Sequence, residues 1–169
     1  MNILLIGFMG CGKTTLGKKL AMKMDLNFID LDEMIAEVEQ MSIPELFKCK
    51  GEKYFRALET EWLSRFDGEG YVISLGGGSP CFNENMKLIN SIGTSVYLQM
   101  NSDLLRDRLL DSKQKRPLIE AFKNDKTKLA LEIDKLLKGR EGFYNKANII
   151  FEASNMSDTK LDCLVKLVM

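Results

Sequence analysis

The chain has 169 residues, 45% of them hydrophobic and 28% charged, which is enough for one well-buried core and too short for two full domains. Its 24 basic and 24 acidic residues cancel to a formal net charge of +0, so no global field draws it to nucleic acid or an anionic membrane, and any anion binding must be local. With 0 histidines, Ser-His and Cys-His nucleophile systems and His-ligated metals are excluded, leaving carboxylates, Lys, Arg and a hard cation for the chemistry.

In chain order, Asn2-Ile3-Leu4-Leu5-Ile6 is an apolar, β-branched run that reads as a strand, and Gly7-Phe8-Met9-Gly10-Cys11-Gly12-Lys13-Thr14-Thr15 follows at once. A helical pattern with Leu16, Leu20 and Met24 on one face comes next. Strand, glycine-rich turn and helix, ending in Gly-Lys-Thr-Thr, is the phosphate-binding loop pattern in the context it requires. Backbone N–H groups of such a loop turn inward around a phosphate chain, and the helix adds its positive N-terminal end. Gly10, Cys11 and Gly12 form the cradle, Lys13 is expected to reach the outer phosphates, and the hydroxyls of Thr14 and Thr15 follow, Thr14 placed to ligate magnesium.

Asn27-Phe28-Ile29 reads as a second strand ending in Asp30-Leu31-Asp32, two acids at the edge where ligands sit in a parallel α/β sheet; an N-cap by Asp32 is the structural alternative. Ser42-Ile43-Pro44-Glu45 has the form of a capping box opening a short helix that Gly51 closes. A helix from Glu52 to about Phe66 carries Phe55, Leu58, Trp62 and Leu63 on its apolar side, with Arg56 and Glu59 spaced to pair. The third strand, Tyr71 to Leu75, runs into Gly76-Gly77-Gly78, bare backbone a ligand can touch. Asn83 is expected to cap a helix to about Asn90, Thr94 to Leu98 forms the fourth strand, and Ser102 starts a helix bearing Arg106 and Arg108. Residues 111–124, with Lys113, Lys115, Arg116 and Pro117, are too polar for core and read as a mobile lid. A helix from about Asp125 to Leu137 precedes Gly139-Arg140-Glu141-Gly142-Phe143-Tyr144, Asn148 to Phe151 is the fifth strand, and Ser157-Asp158 caps a last helix to Val168. Strands alternating with helices predict an α/β fold, a five-stranded parallel sheet with helices on both faces.

No apolar run approaches the roughly 18 residues of a membrane span. Cys11, Cys49, Cys81 and Cys163 form no C-x-x-C pair and no zinc spacing, so free thiols in a reducing, cytoplasmic compartment are expected.

Phosphate-binding loops serve motors, switches and transferases, so other residues must choose among them. A GTP switch needs Asp-x-x-Gly and Asn-Lys-x-Asp just after strands; Asp67 with Gly70, and Asn145-Lys146-Ala147-Asn148, instead precede theirs. The third strand ends without the acid that many ATPases keep for magnesium, which leaves Asp30, at the same edge, as the candidate, acting through water.

The loop at 7–15, Asp30-Leu31-Asp32, Phe55-Arg56 with Glu59, Gly76-Gly77-Gly78, Arg116-Pro117-Leu118, and Arg140 with Tyr144 occur in an order and spacing that together resemble the shikimate kinases over essentially the whole chain. The resemblance implies a three-layer α/β/α P-loop kinase fold with strand order 2-3-1-4-5, one domain over 1–169, a shikimate-binding region at about 31–60 and a small lid at about 111–124. It implies transfer of a phosphoryl group from ATP, with Mg2+, to the 3-hydroxyl of shikimate in aromatic amino-acid biosynthesis. By motif position Arg56 and Arg140 hold the substrate carboxylate, Asp32 orients the attacking hydroxyl or takes its proton, and Gly77 and Gly78 contact the ring. Glu59 steadies Arg56, Arg116 brings a cation to the moving phosphoryl group, and Arg108 lies against the adenine. A monomer is expected. Other readings are a kinase for a different polyhydroxy acid such as gluconate, and a nucleotide-binding regulatory module without turnover, the latter disfavoured by the intact Lys13, Thr14, Asp30, Asp32 and Arg116.

Overall fold

Strand β1 (Ile3–Ile6) is apolar at every position, and each of its side chains is fully buried. A strand without polar alternation needs cover on both faces. In the computed structural model, which describes residues 1–112, 116–122 and 124–169, β1 is the middle strand of a five-stranded sheet of order β2-β3-β1-β4-β5. The others are β2 (Asn27–Asp30), β3 (Tyr71–Ser74), β4 (Thr94–Gln99) and β5 (Ile149–Glu152). All neighbours run parallel, with Ile3 opposite Val72 on one side and Thr94 on the other, so every strand ends at the same edge. This is the strand order and the α/β/α layering expected from the chain.

Helices fill the crossovers: α1 (Lys13–Met24), α2 (Leu31–Glu39), α3 (Ile43–Cys49), α4 (Gly51–Arg65), α5 (Asn85–Ile92), α6 (Ser102–Asp111), α7 (Lys126–Tyr144) and α8 (Asp158–Val168). Helix α1 packs through Leu16, Leu20 and Ala21, and it comes close to the sheet because Gly17 has no side chain: a Cβ there would lie 2.5 Å from the Phe28 ring. Tyr97 and Tyr144, both almost wholly buried, pack with ring centroids 5.0 Å apart and tie α7 to β4. Burying each such side chain is worth on the order of 2 kcal/mol.

The capping box at Ser42 and Glu45 forms as expected, with Pro44 in the first turn. Other boundaries differ. Asp30, not Asp32, caps α2, because its Oδ1 reaches the N–H groups of Asp32 and Glu33 while Asp32 already lies within the first turn. Helix α3 ends at Cys49 with Lys50 as its C-cap, and Gly51 opens α4 rather than closing α3. Glu84, not Asn83, is the N-cap residue of α5, and Asn83 donates instead to Thr60 Oγ1 at 2.9 Å. Helix α7 passes Gly139 and Gly142 and reaches Tyr144, since Leu129, Ile133, Leu137, Arg140 and Tyr144 form one buried stripe that outweighs about 1 kcal/mol per glycine. Within the segment expected to be a polar lid, Ile119 is 0% exposed. Lys113, Gln114, Lys115 and Lys123 of that segment lie outside the described residues. Among the described residues no helix is long and apolar enough to cross a membrane.

Candidate active site

The parallel sheet delivers the ends of β1, β2 and β3 to one edge, and the loops leaving them line a single cleft of about 860 Å³. Gly10, Gly12, Lys13, Thr14 and Thr15 form one end of it. Gly10 (φ 83°) and Gly12 (φ 94°) take left-handed backbone conformations that side chains resist, and these bend the loop around the N-terminus of α1. Lys13 is buried and folds back on the loop, donating to the carbonyls of Gly7 at 2.8 Å and Phe8 at 3.1 Å. Cys11 is buried with Sγ 3.8 Å from Lys13 Nζ. Arg108, on α6, crosses the outside of the loop and donates to Gly10 O at 3.4 Å.

Asp30 joins β2 to the loop. Its Oδ2 accepts from the Thr14 hydroxyl at 2.7 Å while Oδ1 caps α2. A hydroxyl and a carboxylate side by side, open to the cleft, form a hard oxygen donor set that fits magnesium, which takes one or two protein oxygens and fills its shell with phosphate and water. No cluster of three or more His, Cys, Asp or Glu able to hold a metal occurs among the described residues.

One turn on, Asp32 sits in the middle of the cleft. Its Oδ1 is shielded from solvent and has no hydrogen-bond partner among the described residues. Burial, helped by the nearby Glu59 and Asp30 carboxylates and opposed by Lys13 and Arg56, pushes its carboxyl up to about 7. Arg116 lines the same cleft; burial lowers its proton affinity, and the charge of Asp32 works against that. Its backbone N–H donates to Glu120 Oε2 at 3.3 Å.

The far end of the cleft holds two buried guanidinium groups. Arg56 is 6% exposed and Arg140 7%. An arginine on an amphipathic helix is most often solvated; Arg56 is not, because α4 turns it inward under the glycine run. Glu59 Oε2 accepts from its Nη1 at 2.7 Å, and Glu52 Oε1 accepts from Nε at 3.2 Å and Nη2 at 2.9 Å. Burial pulls the Arg56 proton affinity down, but the two carboxylates more than offset it and hold it above its ordinary value. Arg presents five N–H donors, so one hydrogen on each Nη stays available to a ligand. The rings of Phe82, Phe55 and Phe47 surround this guanidinium at 4.7, 5.3 and 5.8 Å. Arg140 lies 5.4 Å over the Phe8 ring, and its Nη1 is buried without a hydrogen-bond partner among the described residues.

The glycine run makes this possible by leaving space. A Cβ on Gly76 would lie 2.7 Å from Asp32 Oδ1, one on Gly77 3.4 Å from Arg140 Nη1, and one on Gly78 2.4 Å from Arg56 Nη2. Tyr144, one turn beyond Arg140, donates its hydroxyl to Gly77 O. Every site residue expected from the sequence except Cys11 lines the one cleft, and Cys11 lies beneath it. Glu52 stands four residues before Arg56, a spacing that signals the pair in the sequence, whereas no spacing signals Phe82 beside the same guanidinium.

An anion cradle, a poised carboxylate and paired buried cations in one cleft suit phosphoryl transfer to a small carboxylated alcohol. The profile of the shikimate kinase family matches residues 9–166. The chain is 45% identical over 158 residues to the shikimate kinase of Azobacteroides pseudotrichonymphae, covering 92% of each, and 43% identical over 159 residues to that of Bacteroides fragilis, covering 94% of this chain and 88% of the relative. Its fold superposes on the crystal structure of shikimate kinase from Bacteroides thetaiotaomicron with a TM-score of 0.91 at 39% identity, covering 99% and 97% of the two chains. Against the Acinetobacter baumannii shikimate kinase solved in complex with shikimate, the TM-score is 0.87 at 30% identity, covering 98% and 92%. A gluconokinase from Sinorhizobium meliloti matches at 13% identity and a TM-score of 0.59, a likeness of fold alone. Family profile, full-length relatives and the arrangement of the cleft agree that this chain belongs to the shikimate kinase family.

Proposed function

We propose that the protein transfers the terminal phosphoryl group of ATP to the 3-hydroxyl of shikimate, giving 3-phosphoshikimate and ADP. The observation that carries this reading is the buried Nη1 of Arg140, without a hydrogen-bond partner among the described residues, sharing one cleft with Arg56, Asp32 and the phosphate loop. A buried N–H of a guanidinium without a partner is costly unless a ligand satisfies it, and a carboxylate does so with charge-assisted bonds.

In this reading the substrate carboxylate lies between Arg56 and Arg140, Gly77 and Gly78 face its ring, and Asp32 accepts from the attacking hydroxyl. With its carboxyl at about 7, Asp32 is balanced between holding and releasing a proton, which suits a group that takes one during transfer. The loop N–H groups of residues 10–15 hold the phosphate chain. Lys13 leaves the Gly7 and Phe8 carbonyls to meet phosphate oxygens, and Arg116 adds positive charge where the phosphoryl group moves. Arg108 stacks on the adenine. Thr14 and Asp30, the latter through water, would hold Mg2+, which when bound offsets charge on the phosphate oxygens. Residues 111–124 close over the nucleotide as a lid, excluding water from the transfer.

The protein is proposed to act as a single domain and a monomer in the cytoplasm, because both faces of its sheet are already covered by its own helices and its four cysteines are free thiols. Sedimentation tests the oligomeric state. An assay of ADP release with shikimate, quinate and gluconate side by side tests the activity: turnover confined to shikimate is expected, and a preference for gluconate would overturn the assignment.

A further inference from the structure

Glu59 is 0% exposed, and a lone carboxylate at that depth would be strongly unfavourable. Arg56 satisfies only its Oε2. The other oxygen, Oε1, accepts a hydrogen bond from the hydroxyl of Ser79, itself 0% exposed, in the short turn Ser79–Cys81 that follows the glycine run. Asn85, also 0% exposed, fixes that turn by donating from Nδ2 to Ser79 O at 2.8 Å, and Ser79 N–H donates to Gly76 O at 3.1 Å. A chain of buried hydrogen bonds therefore runs from α5 through the turn to α4 and ends on the Arg56 guanidinium.

We propose that Ser79 is a positioning residue for the anion clamp: its hydroxyl occupies Glu59 Oε1, so that Glu59 grips Arg56 by one oxygen and leaves the guanidinium fork facing the cleft. With that donor gone, Oε1 keeps no hydrogen-bond partner among the described residues, and the carboxylate rotates to take Arg56 through both oxygens, the preferred geometry of such pairs. The N–H groups otherwise available to a substrate carboxylate are then consumed inside the protein. Gly78, where a Cβ would stand 2.4 Å from Nη2, leaves the guanidinium the space it occupies.

The proposal rests on shikimate being the substrate and its carboxylate being the anion held. Its test is the ratio of kcat/KM for shikimate to kcat/KM for the neutral carboxamide of shikimate, in the wild type, S79A and S79C, with folding checked by circular dichroism. Ser79→Ala is expected to lower the ratio on the order of tenfold, as for a lost hydrogen bond to a charged group, with KM for ATP unchanged. Ser79→Cys, close in size but a weak donor, is expected to behave like S79A; should S79A not fold, S79C decides alone. A merely structural role for Ser79 would lower thermal stability or both activities together and leave the ratio alone. An unchanged ratio in a folded variant overturns the positioning role. A wild type without preference for the acid instead overturns the assigned substrate, and the two failures are told apart by which protein shows them.

Discussion

The guanidinium of Arg56 fills the space that a side chain on Gly78 would need: a Cβ there would stand 2.4 Å from Nη2 and 2.6 Å from Cζ. Gly78 has an ordinary right-handed backbone (φ −93°), so alanine there meets steric conflict with Arg56 but no conformational strain. Gly78→Ala is accordingly expected to keep the fold and ATP binding while raising KM for shikimate about tenfold or more, since a misplacement of about 1 Å is enough to weaken a fixed ligand geometry. Steady-state kinetics with each substrate varied in turn checks this; an unchanged shikimate KM would show that Arg56 moves without consequence.

Removal of either clamp cation separates binding from folding differently. Arg140→Ala deletes a group whose Nη1 has no hydrogen-bond partner among the described residues, whereas Arg56→Ala also strands the buried carboxylate of Glu59. Both are expected to raise KM for shikimate roughly a hundredfold, about 2–3 kcal/mol for a lost charge-assisted contact. Only Arg56→Ala should also destabilise the fold strongly, as breaking a buried pair does. Calorimetric titration with shikimate and thermal unfolding measure the two effects; wild-type affinity in Arg140→Ala would remove it from the clamp.

Asp32→Asn is expected to bind ATP normally and lose most turnover. In the wild type, kcat/KM for shikimate should climb as pH rises through about 7, where the Asp32 carboxyl of the free enzyme loses its proton and becomes able to accept one from the substrate. A profile of kcat/KM for shikimate flat from pH 5.5 to 8.5 would argue against this role.

The same carboxyl makes an opposite prediction for stability. Its folded-state value, about 7, lies above the ordinary 3.8, so the folded protein binds the proton more tightly than the unfolded chain. Between those values stability falls as pH rises, and above about 7 the loss is complete. Asp32→Asn should therefore melt higher than the wild type at pH 8, by about 3–8 °C, and the gap should shrink toward pH 5. Scanning calorimetry at both pH values reads the difference, and equal melting temperatures at pH 8 would mean the charge is tolerated without cost.

Lid closure is testable by limited proteolysis across residues 111–124. ATP and shikimate together are expected to slow cleavage there, because closure requires the cleft to be filled. Equal rates with and without ligands would count against a lid.

Much of this protein is legible in one dimension. The unbroken apolar run Ile3–Ile6 could only be a central strand covered on both sides, and the residues that follow it repeat a loop whose chemistry depends on backbone and local order. The Arg56 and Glu59 pair was readable too, because three residues on a helix bring side chains together. What the chain could not declare by itself were contacts between segments far apart in sequence. Helix α7 runs on through two glycines because its buried stripe packs against α6 and the turn at Ser79, a gain that local propensity does not contain. Ile119 is buried under the polar segment around it, and Ser79 reaches Glu59 across 20 positions. Local signals come from bonds and spacing within one element. The depth of Arg56, the burial of Arg140 and the proton affinity of Asp32 come from solvent excluded by several elements at once, and only the folded arrangement decides that.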